Sequence, residues 1–84
     1  MPDTPSLTVL AFARYADLLG AGEFQLPVPA PATVAALVQQ LRQLPGGAAL
    51  PERLMVAVNA RQAAPDQPVQ GGDEVALLPP MAGG

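Results

Sequence analysis

The stretch "PATVAALVQQLRQLPGG" (31–47) decides the fold of this 84-residue chain. Thr33 is a side chain suited to capping a helix N-terminus, and Val34, Leu37, Val38, Leu41 and Leu44 recur at helical spacing. Pro45 and Gly46 then stop the helix. The expected element covers 33–44, and it is the one main helix of the chain.

Strand patterns surround it. "SLTVLAF" (6–12) puts Leu7, Val9 and Ala11 on one face and Thr8, Leu10 and Phe12 on the other. Both faces are largely apolar, which suits a central strand. "ARYADLLG" (13–20) reads as one or two helical turns closed by Gly20. "EFQLPVP" (23–29) alternates as a strand, and its prolines push it to a sheet edge. "ALPERL" (49–54) is a turn or irregular piece. "LMVAVN" (54–59) is a strand ending at Asn59, which tolerates the left-handed conformation of a tight turn. "RQAAPDQPV" (61–69) is at most a short edge strand. "QGGDEVALLPP" (70–80) sets a Gly-Gly-Asp turn before a last strand, Glu74 to Leu78. Residues 1–5, "MPDTP", read as a loose leader.

The order is β-(short α)-β-α-β-(β)-β. One helix covers only one face of a four- or five-stranded sheet, which gives a two-layer α+β domain. Strands returning beside the first after the helix fit a helix grasped by a curled mixed sheet. The expectation is a single domain over 1–84, with 79–84 as an extended C-terminal tail.

Composition removes most chemistry. The chain has no cysteine, no histidine and no lysine, so the common nucleophilic dyads, imidazole bases, thiolate metal sites and Schiff-base chemistry are all missing. Every cation is an arginine (Arg14, Arg42, Arg53 and Arg61), scattered along a chain of net charge -3, so no basic stripe exists for nucleic acid. No signal-peptide pattern or membrane-length apolar run is present, which makes a cytoplasmic location the expectation. Asp17 and the Asp73-Glu74 pair read as a helix-flank charge and solvated turn residues rather than acid–base groups. Gly46-Gly47 and Gly71-Gly72 lack the context of a phosphate loop. The chain is not expected to be an enzyme by itself, nor to bind a metal or cofactor.

One reactive group remains, the C-terminal carboxylate of Gly84. Gly83-Gly84 forms a thin rod that enters channels closed to other residues. Activation as an acyl-adenylate would make that carboxylate an electrophile, and sulfur delivered there would give a thiocarboxylate. For Gly-Gly alone, a frayed end or processing scar is the better reading. Here an apolar strand and the stiff Pro79-Pro80 pair lead into it and fix its exit direction. A second argument comes from the strand faces. If Val75 and Leu77 join Leu7, Val9 and Ala11 under the helix, then Leu10, Phe12, Ala76 and Leu78 share the uncovered face. An apolar patch there, adjoining the tail, reads as a partner surface, ahead of two plainer alternatives: scattered exposed apolar residues of the ordinary kind, or a face packed on the irregular 48–53 segment.

"FARYADLLG" (12–20), "TVAALVQQL" (33–41), "VAVN" (56–59) and "GDEVALLPPMAGG" (72–84) together resemble the MoaD/ThiS group of ubiquitin-like sulfur carriers, and within it the small subunits of molybdopterin synthase. The resemblance spans nearly the whole chain, and its last block is the most specific. It implies a β-grasp fold. It implies that Gly84 is adenylated by an ATP-dependent, MoeB-like E1 enzyme, converted to a thiocarboxylate, and inserted into the large, MoaE-like synthase subunit. There it would donate sulfur to a cyclic pyranopterin precursor during molybdenum cofactor biosynthesis. It implies a heterotetramer in which the large subunit supplies the catalytic side chains, and ATP is used by the activating enzyme. Phe12, Leu10 and Leu78 map to the partner interface, while Pro79, Pro80, Met81, Ala82 and Gly83 form the tail entering the partner's channel.

Three departures stand out. Met81 replaces a common valine or threonine, Leu77-Leu78 replaces a frequently aromatic pair, and Arg61-Gln62-Ala63 follows Asn59 where an apolar contact residue is frequent. The alternatives are a carrier for thiazole or another thiolated product, a ubiquitin-like modifier joined to target lysines, and a plain β-grasp binding module. The thiazole carriers are usually shorter and lack the Pro-Pro before the tail.

Overall fold

The computed structural model describes residues 5–79. Strand β1 (Ser6–Ala11) leads through helix α1 (Arg14–Leu19) to β2 (Glu23–Pro27). Helix α2 (Val34–Arg42) follows, then a 3-10 turn (Gly47–Ala49), β3 (Met55–Val58), β4 (Arg61–Ala63) and β5 (Glu74–Leu78). The five strands form one mixed sheet in the order β2-β1-β5-β3-β4. β1 and β5 are parallel neighbours at its centre, and the other pairings are antiparallel. The mixed sheet grasping one main helix is the expected β-grasp, with the proline-bearing β2 at one edge and the short β4 at the other.

Helix α2 lies on one face and buries Val34, Leu37 and Leu41 against Leu7, Val9, Ala11, Val56, Val58, Val75 and Leu77. Each fully buried Leu or Val contributes on the order of 1.5–3 kcal/mol relative to exposure. Thr33 caps the helix by accepting from the Ala36 N–H at 3.2 Å. The preceding free donors are met by the 64–69 loop, where the Gln67 carbonyl accepts from Val34 N–H at 3.0 Å and the Pro65 carbonyl from Ala35 N–H at 2.8 Å.

The helix ends two residues earlier than its apolar spacing suggests. Gln43 and Leu44 N–H bond back three residues, to the Gln40 and Leu41 carbonyls at 3.1 Å each, so the last turn tightens before Pro45. Gly46 then takes φ +84°, and a β-carbon there would collide with the Leu18 carbonyl of α1. The turn therefore runs close under α1. Arg42 secures the 50–52 segment by donating to the carbonyls of Leu50 at 3.1 Å, Pro51 at 2.8 Å and Glu52 at 3.2 Å. Leu50, at 4% exposure, joins the core on the helix side.

The other differences lie at element ends. β1 stops at Ala11 rather than Phe12 because Ala13 takes φ +50° and turns the chain away. β2 stops at Pro27, although the Val28 N–H still bonds the Pro5 carbonyl at 3.0 Å. β3 and β4 are joined by Asn59-Ala60, with φ of +50° and +72°, the sign that a two-residue hairpin requires at both positions. Among the described residues, no helix is long and apolar enough to cross a membrane.

Candidate functional site

The face of the sheet away from α2 is divided into two halves. Near the start of β1 it is polar: Ser6 Oγ donates to Gln25 Oε1 at 2.9 Å, and Gln25 Nε2 donates to Thr8 Oγ1 at 2.7 Å. Toward the end of β5 it is apolar. Ala76 sits between Leu10 of β1 and Ala57 of β3, and Leu78 lies opposite Met55. Phe12 and Met55 are the large exposed apolar side chains of the described residues, at 46% and 40%. Leu10, Ala76 and Leu78 are half-buried, and Ala57 is shielded by its neighbours.

The irregular segment does not cover this face. Residues 47–52 pack beside α1 and α2, held there by Arg42 and Leu50. Of the expected set, Leu10 and Leu78 lie on this face, where Met55 and Ala57 extend it onto β3, and Phe12 follows the last paired residue of β1 with its ring exposed. The alternation in "LMVAVN" puts Met55 and Ala57 on one face, but only the pairing with β5 places them beside Leu78 and Ala76. Gln62 pairs with Ala57, so the patch ends in a polar side chain at β4, as Glu23 ends it at β2.

β5 points its carboxyl end out of this patch. Leu77 is fully buried under α2, Leu78 faces outward, and Pro79 is exposed. Pro79 forms one wall of a groove of about 340 Å³ with Ala13, Arg14, Tyr15, Leu18 and Pro51. Pro80, Met81, Ala82, Gly83 and Gly84 lie outside the described residues.

One expectation needs correction. Asp73 is not a solvated turn residue, since it is 8% exposed. Its Oδ1 accepts from Asn59 Nδ2 at 3.0 Å and its Oδ2 from the Gln70 N–H at 2.9 Å. Asn59 Oδ1 in turn accepts from the Glu74 N–H at 2.9 Å. This network ties the β3–β4 hairpin to the turn before β5 and engages both carboxylate oxygens in structural hydrogen bonds. No group of three or more His, Cys, Asp or Glu able to hold a metal occurs among the described residues.

With this geometry in place, the comparisons with known proteins are decisive at the family level. The model of the ThiS family matches residues 9–84. The chain belongs to the ThiS family. Among solved structures, this ThiS-family chain is similar to SAMP1 of Haloferax volcanii, a small archaeal modifier protein, at 27% identity and a TM-score of 0.77 over 94% of this chain and 99% of that one. It is similar to a putative molybdopterin converting factor, subunit 1, of Pyrococcus furiosus at 25% identity and a TM-score of 0.78, over 92% and 99% of the two chains. A complex of subunits 1 and 2 of the molybdopterin-converting factor from Helicobacter pylori shares its fold, at 21% identity and a TM-score of 0.69 over 94% and 99%. These matches place the chain among the ubiquitin-like sulfur carriers and modifiers.

Proposed function

We propose that this ThiS-family chain is the small, sulfur-carrying subunit of a molybdopterin synthase. Gly84, taken as the terminal residue, is the reacting group. Its carboxylate oxygen attacks the α-phosphorus of ATP on an E1-like enzyme, and pyrophosphate leaves. Sulfur at the hydrosulfide level then attacks the acyl carbon, AMP leaves, and loss of the S–H proton gives a thiocarboxylate, the donor to the pyranopterin precursor in the large subunit. Gly83, Ala82, Met81, Pro80 and Pro79 are the stem that reaches into that subunit, with Phe12, Leu10 and Leu78 as the docking face.

The observation that carries this reading is the uncovered apolar half-face at the carboxyl end of β5, continuous with the root of the Gly-Gly tail. A tail that must enter another protein's active site needs a docking surface beside it, and apolar patches of this kind mark such surfaces. The likeness to subunit 1 of a molybdopterin converting factor supports the choice of product.

Intact mass decides the carrier step. Incubation with the host's E1-like enzyme, ATP and a sulfur source should add about 16 Da, one sulfur replacing one oxygen at the activated acyl carbon. Only free carboxylate under those conditions would sink the reading. Conversion of the pyranopterin precursor after adding the host's large subunit separates this role from thiazole supply.

The likeness to SAMP1 favours a second reading, a modifier joined to lysines of other proteins. Isopeptide-linked adducts in the host that vanish when Gly84 is deleted are the result expected of it.

A further inference from the structure

Tyr15 is 3% exposed, with its ring packed into the core. Among the described residues, neither its hydroxyl nor the neighbouring Arg14 guanidinium takes a hydrogen-bond partner. No sealed-in polar side-chain atom is left unpaired there, so the Tyr15 hydroxyl is open to solvent. The opening that Tyr15 lines is the groove of about 340 Å³ between α1 and residues 49–51. Buried tyrosines usually place their hydroxyl on a partner, so a free one at a groove marks room for a ligand.

The rest of the groove narrows the chemistry of that ligand. Leu18, Ala49, Pro51 and Pro79 bring side chains with neither donors nor acceptors. The hydroxyl and the guanidinium are donors, and Arg14 is exposed at the rim. A fitting ligand therefore brings acceptors, one negative charge and an aliphatic stem, which describes a carboxylate side chain. A phosphate would turn oxygens toward leucine and proline, where nothing replaces their lost water. A proline-rich strand needs exposed aromatic faces, and the buried Tyr15 ring offers none.

The location of the groove points to the source of the carboxylate. Ala13 follows Phe12 and Pro79 follows Leu78, so the groove begins where the apolar half-face ends, on both central strands. A protein seated on that half-face reaches the groove as well. In a chain of net charge -3, an arginine left without an acceptor is complementary to an acidic group across such a contact.

We propose that this groove receives an acidic side chain of the large synthase subunit, whose carboxylate accepts from the Tyr15 hydroxyl and the Arg14 guanidinium. The choice of partner rests on the carrier reading above; the chemistry of the groove does not.

Tyr15→Phe removes a single oxygen that has no partner in the free chain, so Tm should hold or rise. Its affinity for the host's large subunit, measured by calorimetric titration, should fall about ten-fold, as on losing a hydrogen bond to a charged group. Arg14→Gln should weaken binding by about the same factor and flatten the dependence of Kd on salt. A second arm needs no partner. Titration with pentanoate should shift the amide NMR signals of Arg14, Tyr15, Leu18 and Ala49 at millimolar concentrations, whereas the neutral isostere pentanamide should not.

Wild-type affinity in both variants overturns the proposal while leaving the carrier reading intact. A lower Tm in Tyr15→Phe alongside weaker binding also overturns it, since the hydroxyl would then serve the fold. Equal shifts with pentanamide, or none with pentanoate, overturn the carboxylate chemistry. If the wild-type chain does not bind the large subunit, the carrier reading falls and the named occupant with it, while the pentanoate arm still decides what the groove recognises.

Discussion

Arg42 illustrates what a single residue does once the chain has folded. In sequence it is one of four scattered cations. In the structure its guanidinium bridges three successive carbonyls, those of Leu50, Pro51 and Glu52, and so pins the irregular segment to the end of α2. Hydrogen bonds from charged groups contribute about 1.5–3 kcal/mol, and the partly exposed position reduces that figure here. Arg42→Ala is expected to cost about 1–3 kcal/mol in urea denaturation, with an unchanged m-value. Asn59 was more legible, because its tolerance of positive φ is a property of the residue type. Its link to Asp73 was not, since the two are fourteen positions apart and meet only when β3 lies beside β5. Nothing in the letters distinguishes Ala13 or Ala60 from the other alanines, and their positive φ values are imposed by the turns they close.

The elements themselves were largely legible because each rests on a local period. The spacing of Val34, Leu37 and Leu41 gave α2, and two-residue alternation gave β1 and β5. The ends drifted by one or two residues wherever a non-local contact decided them, as at the tightened last turn of α2 and the Ala13 turn after β1. Leu37 is fully buried at the centre of the helix–sheet contact. Leu37→Ala should destabilise the fold by about 2–5 kcal/mol, read by calorimetry or chemical denaturation. In a domain this small that is a large share of the total stability, so partial unfolding at about 37 °C is the expected outcome. A loss under about 1 kcal/mol would mean that the helix is not held by its apolar stripe.

At the scale of the whole molecule, the sheet has one face closed by α2 and one left apolar over the half nearest the tail. Phe12 stands at the edge of that half, 46% exposed, where it contributes little to the core. If the chain has the synthase role proposed above, Phe12→Asp is expected to weaken binding to the host's large synthase subunit by about ten-fold, because a carboxylate would lose its water against an apolar surface. Thermal stability should change far less, as for most exposed positions. Equal affinity of mutant and wild type in calorimetric titration would remove this face from the docking surface. The sequence by itself determined the α+β class, the main helix, the strand segments and the absence of side chains for common catalysis, because these follow from composition and short periods. Tertiary structure alone decided that β5 lies between β1 and β3, that Met55 and Ala57 join the Leu10–Leu78 patch, that Asp73 is buried, and that Ala13 and Pro79 line one groove. Each of these depends on strand register, a pairing between distant segments that no local periodicity encodes.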